Sequence, residues 1–198
     1  MPHSTVLDQS TINKIAAGEV IERPSSVVKE LLENAIDAQA TAVTVEIRDG
    51  GISYIRVTDN GCGIPKEEVP LAFLRHSTSK IKSVEDLFTV SSLGFRGEAL
   101  SSIASVAQVE LITKTSEQLS GTRYQIEGGV ERSYEEVGAP DGTTFLVRNL
   151  FYNTPARQKF LKTAQTEGSH VAALVEKIAM SHPDISSLVI QNNQNRRH

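Results

Sequence analysis

Three side chains near the start of the chain have the types and spacing of a site that could handle a cation and a water. Glu30, Asn34 and Asp37 lie in a segment that opens with Pro24 and runs to about Ala38. At about 100° per residue they fall within roughly 60° of one another on a helix. Val28, Leu31, Leu32, Ala35 and Ile36 take the opposite side. A carboxylate one turn before a carboxamide can orient a water beside a hard cation that the amide oxygen ligates. The same pattern also describes an amphipathic helix with a solvated polar stripe, and spacing alone does not choose between them.

A second group is Asp59-Asn60-Gly61-Cys62-Gly63, where an aspartate leaving a strand is followed by two glycines one residue apart. Glycines there let the backbone approach a flat ligand, and the carboxylate could accept from an exocyclic amino group. Ordinary strand-ending turn chemistry gives the same residues. A third is Gly94-Phe95-Arg96-Gly97-Glu98-Ala99-Leu100, with glycines at the mouth of a helix whose first amides suit a phosphate. Thr78, Ser79 and Lys80 could add hydroxyls and an ammonium. A mobile, glycine-capped surface loop is the competing reading of both segments. No Gly-x-x-x-x-Gly-Lys-[Ser/Thr] occurs, which excludes a P-loop. Gly142-Thr143-Thr144 opens a strand and could border a pocket or end a turn.

These residues need positioning elements. Ile12, Ile15, Ala16 and Val20 have near-helical spacing over Thr11–Glu22, with Gly18 as a weak point. Pro24 suits the first turn of the helix that carries Glu30. Val43–Arg48 alternates as a strand, Asp49-Gly50-Gly51 turns, and Tyr54–Thr58 returns as its partner. Pro65 begins a short helix ending near His76, and Gly97–Ser105 reads as helical. Residues 77–96 lack periodicity and suit a lid. Strands follow at 109–115, 122–127 and 143–148, with another near 130–137. Helices at 155–162 and 167–181 precede a last apolar run, Ile185–Ile190. Hairpins without repeating βαβ units predict an α+β fold, a two-layer sandwich.

Composition narrows the class. The 198 residues are 39% hydrophobic and 22% charged, enough for a buried core. Lys and Arg number 20 against 24 Asp and Glu, a net −4 that argues against coating nucleic acid by bulk charge. Tryptophan is absent and aromatics are 5%, so stacking platforms for single strands are not the theme. One cysteine, Cys62, excludes an internal disulfide framework and a Cys-rich zinc site. It has no histidine partner at a telling spacing and reads as a small residue in a tight loop. His3, His76, His170, His182 and His198 show no metal-ligand spacing. Arg157, Lys159 and Lys162 form a basic cluster that reads as a solvated helix face. No apolar run spans a membrane and no signal peptide is evident, so a cytosolic location is expected.

Taken in order, the motifs resemble those of the N-terminal ATPase region of the MutL family of DNA mismatch repair proteins. The likeness starts with Ile15–Val20 and Arg23-Pro24, and continues through Glu30, Asn34, Asp37 and Asp59–Gly63. Thr78–Lys80, Gly94–Leu100, Gly142–Thr144 and Phe151-Tyr152-Asn153-Thr154-Pro155-Ala156-Arg157 complete it. Several motifs are shared with DNA gyrase B, histidine kinases and heat-shock chaperones, whereas Ile15–Val20, Gly94–Leu100 and Phe151–Arg157 point to MutL. The resemblance implies a Bergerat-type ATP-binding fold, a mixed, mostly antiparallel sheet covered on one face by helices, formed as a single domain over 1–198. It implies Glu30 as general base and Asn34 as Mg²⁺ ligand. Asp59 would meet the adenine amino group, with Asp37, Gly61, Gly63 and Thr143 around the nucleotide. Thr78, Ser79, Lys80, Gly94, Phe95, Arg96, Gly97, Glu98, Ala99 and Leu100 would form lid and phosphate cage.

The same resemblance implies ATP and Mg²⁺ as ligands, with a second copy of the chain, the mismatch-recognition protein MutS and DNA as partners of the full protein. Residues 1–20 would be an arm that crosses to the partner copy. The family's γ-phosphate lysine comes from a second domain, so the chain is expected to be a piece of a longer protein with slow or incomplete hydrolysis. A nucleotide-sensing module without significant hydrolysis, and a histidine-kinase-type catalytic domain, are the competing functions.

Overall fold

The computed structural model describes residues 6–74 and 98–193, the segment 187–193 as backbone. Seven strands form one sheet in the order β5-β4-β3-β6-β2-β1-β7. They are β1 (Ala42–Arg48), β2 (Tyr54–Asp59), β3 (Gln108–Lys114), β4 (Gly121–Glu127), β5 (Val130–Val137), β6 (Gly142–Arg148) and β7 (Ser187–Asn193). All neighbours run antiparallel except β1 and β7, which are parallel. The helices are α1 (Gln9–Val20), α2 (Pro24–Asp37), α3 (Ala99–Val106), α4 (Pro155–Phe160) and α5 (Ala164–Ser181). The expected α+β sandwich and mixed sheet are thus present.

Strand register builds the core in rows. Ile47, Ile55, Val147, Val109 and Ile126 lie across five adjacent strands, and so do Val45, Val57, Phe145, Leu111 and Tyr124. All ten are buried. Period-2 alternation sends them to one face, where Val27, Val28, Leu31 and Leu32 of α2, Ile103 of α3 and Val171 of α5 complete a single cluster. The opposite face carries charge. Glu46 pairs with Arg56 at 2.6 Å, and Glu110 pairs with Arg123 at 2.8 Å and Arg148 at 3.3 Å.

One expected element differs. In place of a helix from Pro65 to His76 there are two 3₁₀ turns, Lys66–Glu68 and Pro70–Phe73. Pro70 has no N–H and its ring opposes the preceding turn, so an α-helix cannot run through it. His76 and the rest of 75–97 lie outside the described residues.

Candidate nucleotide site

The next row of the sheet breaks the apolar pattern. Asp59, Thr143, Thr113 and Thr122 face one another on β2, β6, β3 and β4, one inward step beyond Val57, Phe145, Leu111 and Tyr124. All four are buried, Asp59 at 8% exposure and Thr113 at 1%. Buried polar groups are as a rule hydrogen-bonded. Thr113 Oγ1 serves as a hub: it takes a bond from the Ile64 amide at 2.9 Å, donates to the Gly142 carbonyl at 3.1 Å and lies 2.9 Å from Thr143 Oγ1. Three bonds fill the capacity of one hydroxyl.

Asp59 Oδ1 accepts from the Gly61 amide at 2.8 Å. Burial pushes the Asp59 carboxyl above its ordinary range, and backbone amides of Gly61 and Thr143 partly offset that shift. The loop needs its small residues. A Cβ on Gly63, at φ +72°, would meet the Lys114 carbonyl oxygen at 2.2 Å, and one on Gly142, at φ +115°, would meet the Asp59 carbonyl oxygen at 2.2 Å. The glycines therefore let three chain segments close around Asp59.

The end of α2 forms the next wall. Ala38, its C-cap, accepts through its carbonyl from the Cys62 amide at 3.0 Å. A Cβ on Gly61 would stand 2.7 Å from Ala38 Cβ. That contact brings the Asn34–Asp37 turn of α2 beside the Asp59 loop. Glu30 is 6% exposed, Asn34 is half-buried and Asp37 is exposed. The polar stripe is thus not uniformly solvated: its first carboxylate is buried.

The sequence-derived residues Glu30, Asn34, Asp37, Asp59, Gly61, Gly63 and Thr143 are gathered by α2, the Asp59 loop and the head of β6. Glu98, Ala99 and Leu100 begin α3, where Ser101 Oγ and the Ser102 amide both donate to the Glu98 carbonyl. Thr78, Ser79, Lys80, Gly94, Phe95, Arg96 and Gly97 lie outside the described residues, as does the lid segment 77–96. Thr144, by contrast, points to the opposite face, 3.1 Å from Thr58 Oγ1. Cys62 is exposed in its loop.

Thr113 is the residue that motif reading missed. Its signal was the run Val109-x-Leu111-x-Thr113, where an inward-facing strand position turns polar. Arg157 was misread as part of a solvated face. Its Nη1 donates to the Gly18 carbonyl at 3.0 Å, 139 positions away in the chain. Among the described residues no group of three His, Cys, Asp or Glu is placed to hold a metal. A Mg²⁺ shared by one amide oxygen, phosphates and water needs no such cage, and the half-buried Asn34 one turn beyond Glu30 fits that mode.

Residues 21–141 match the family described as histidine kinase-, DNA gyrase B-, and HSP90-like ATPase. The chain belongs to that ATPase family. The match spans α2, the Asp59 loop, α3 and Gly142's preceding turn, but leaves α1 and Phe151–Arg157 outside. Those outer segments are covered by more specific relatives. The DNA mismatch repair protein MutL of Agathobacter rectalis is 70% identical over 198 residues, all of this chain and 31% of the relative. The MutL protein of Desulforamulus reducens is 56% identical over 185 residues, 93% of this chain and 29% of the relative. The Aquifex aeolicus MutL ATPase domain complexed with ADP superposes with a TM-score of 0.69 at 36% identity, covering 87% of this chain and 61% of that one. Within its ATPase family, the chain is of the MutL N-terminal domain type. It spans less than a third of the length of these curated relatives.

Proposed function

We propose that this chain is the ATP-binding and ATP-hydrolysing domain of a MutL-type mismatch repair protein. The observation that carries the reading is the polar row at the end of the inner sheet face. There a buried aspartate, held above its ordinary pKa range, ends an otherwise apolar core beside the buried Glu30 helix. An adenine ring suits such a place. Its faces take the small, close-packed backbone of Gly61 and Gly63, and its amino group donates to Asp59. The Thr143 hydroxyl, held by Thr113, adds a second polar contact at the ring's edge.

The triphosphate then runs along α2 towards the start of α3. Glu30 accepts the proton of the water that attacks the γ-phosphorus, as the bond to the β–γ bridging oxygen breaks and ADP leaves. Asn34 would offer its amide oxygen to Mg²⁺, which would neutralise phosphate charge. Asp37 lies at the water-facing end of the same helix face. Glu98, Ala99 and Leu100 at the start of α3 offer main-chain contacts to the phosphates; Thr78–Lys80 and Gly94–Gly97, outside the described residues, are assigned to the phosphates by the family resemblance alone. Catalysis of this kind depends on position and electrostatics, so few side chains suffice.

In the longer protein, nucleotide binding closes two copies into a clamp that links MutS and DNA to later repair steps in the cytosol. The relatives' names support the mismatch-repair setting, and the family resemblance supports the clamp and its partners. Turnover in this chain by itself is slow. The competing reading is a module that senses nucleotide without hydrolysing it, and steady-state phosphate release separates the two. The ATPase reading expects release that disappears in Glu30→Ala while calorimetry with a non-hydrolysable ATP analogue still shows binding that depends on Mg²⁺. Equal background release from both proteins would establish the sensor, and no analogue binding by the unaltered chain would overturn both.

A further inference from the structure

The hydroxyls of the polar row can hold their protons in only one satisfied order. Thr113 Oγ1 has one proton and two lone pairs. The Ile64 amide takes one lone pair at 2.9 Å. The Gly142 carbonyl, 3.1 Å away, can only accept, so it takes the proton. Thr143 Oγ1, 2.9 Å from Thr113 Oγ1, therefore donates into the remaining lone pair. The reverse order would leave the Thr113 and Gly142 oxygens 3.1 Å apart with no hydrogen between them. Thr113 is 1% exposed, so bulk water does not relieve that contact.

Thr143 stands directly across the strand pair from Asp59, and its main-chain amide donates to the Asp59 carboxyl. Its hydroxyl proton is turned inward to Thr113. The Thr143 hydroxyl thus has only lone pairs left to offer a ligand. Asp59, whose Oδ1 already takes the Gly61 amide, offers lone pairs as well. Side by side, the two side chains present acceptors to the edge of a ring. A 6-amino purine has N–H groups to meet them. A 6-oxo purine sets an oxygen lone pair against them, and a buried site whose polar groups are left unpaired rejects such a ligand.

We propose that Thr113 is a positioning residue that sets base specificity: by holding the Thr143 proton inward it denies a donor to the ring edge and so excludes 6-oxo purine nucleotides. This rests on the nucleotide-binding reading above. Asp59 supplies the partner for an amino group, and Thr113 disarms the neighbouring hydroxyl that would otherwise turn and satisfy an oxo group. Thr113 itself acts only through Thr143.

Two measurements test it. Neutron diffraction from crystals of the unaltered chain should place the Thr143 hydroxyl deuteron toward Thr113, and a deuteron turned away from Thr113 would overturn the proposal without any variant. Calorimetry with Mg²⁺ and either ADP or inosine diphosphate reads the specificity. The unaltered chain should prefer ADP. Thr113→Val and Thr113→Ala free the Thr143 proton and should each lower that preference roughly tenfold, the scale of one hydrogen bond. Thr113→Ser keeps a hydroxyl and should keep the preference. A pocket that is merely loosened would lose selectivity whether or not Thr143 has its hydroxyl. In a Thr143→Val background, therefore, Thr113→Val should cause no further drop. An unchanged preference in the Thr113 variants, or an equal drop in the Thr143→Val background, would overturn the role, as would equal affinity of the unaltered chain for the two nucleotides. No ADP binding by the unaltered chain would instead overturn the nucleotide reading, and the specificity role with it.

Discussion

At the residue scale, Asp59 separates stability from function. Its carboxyl is raised by burial, so the unbound fold is favoured by the protonated form. That contribution is complete below the carboxyl's unfolded pKa and is lost as pH rises through the folded value. Asp59→Asn should therefore melt higher than the unaltered protein at neutral pH without nucleotide, with the gap closing in acid. The same substitution should weaken adenine nucleotide binding by about 1.5–3 kcal/mol, the worth of a hydrogen bond to a charged group. Calorimetry and thermal melting together check both signs. Thr113→Val keeps shape but orphans the Ile64 amide and removes the partner of Thr143, and should cost about 1–3 kcal/mol in chemical denaturation.

At the element scale, the site exists because α2, the Asp59 loop, the end of β3 and the head of β6 approach more closely than side chains normally permit. Gly63→Ala forces a Cβ against the Lys114 carbonyl oxygen at a φ that suits glycine. It should destabilise the fold by about 1–3 kcal/mol, read as a lower denaturant midpoint, and reduce nucleotide affinity through a displaced loop. The glycine pair and Asp59 were legible as a motif. Which carbonyls they pack against was not, because Lys114 and Ala38 come from elements distant in sequence. Proline placement explains the one helix that differs: Pro65 opens the segment as expected, but Pro70 ends its first 3₁₀ turn and begins a second.

At the scale of the whole molecule, the open face of the sheet carries a charge network that the core does not need. Burial raises the Glu110 carboxyl, but hydrogen bonds from Arg123 and Arg148 outweigh it and hold the group below its ordinary value. A depressed carboxylate contributes stability above its unfolded pKa, and that contribution is lost as pH falls through the folded value. Glu110→Gln should lower the melting temperature at neutral pH, and the difference should shrink on acidification. This is opposite in sign to Asp59→Asn, so the two variants' pH profiles should diverge above the carboxylate range. A Glu110→Gln curve parallel to that of the unaltered protein at all pH values would refute the pairing.

The sequence by itself determined the element types outside the Pro65 segment and the identity of Glu30, Asn34 and Asp59 as candidates. Those depend on local periodicity and on residue chemistry, which a linear text preserves. The tertiary structure decided what each was next to. Thr113 became a hub only when β2, β6 and β3 were registered side by side. The basic cluster lost Arg157 to a helix end 139 positions away, because a long guanidinium finds carbonyls wherever packing leaves them unpaired. Non-local contacts carry no local signature, and that is where the sequence fell silent.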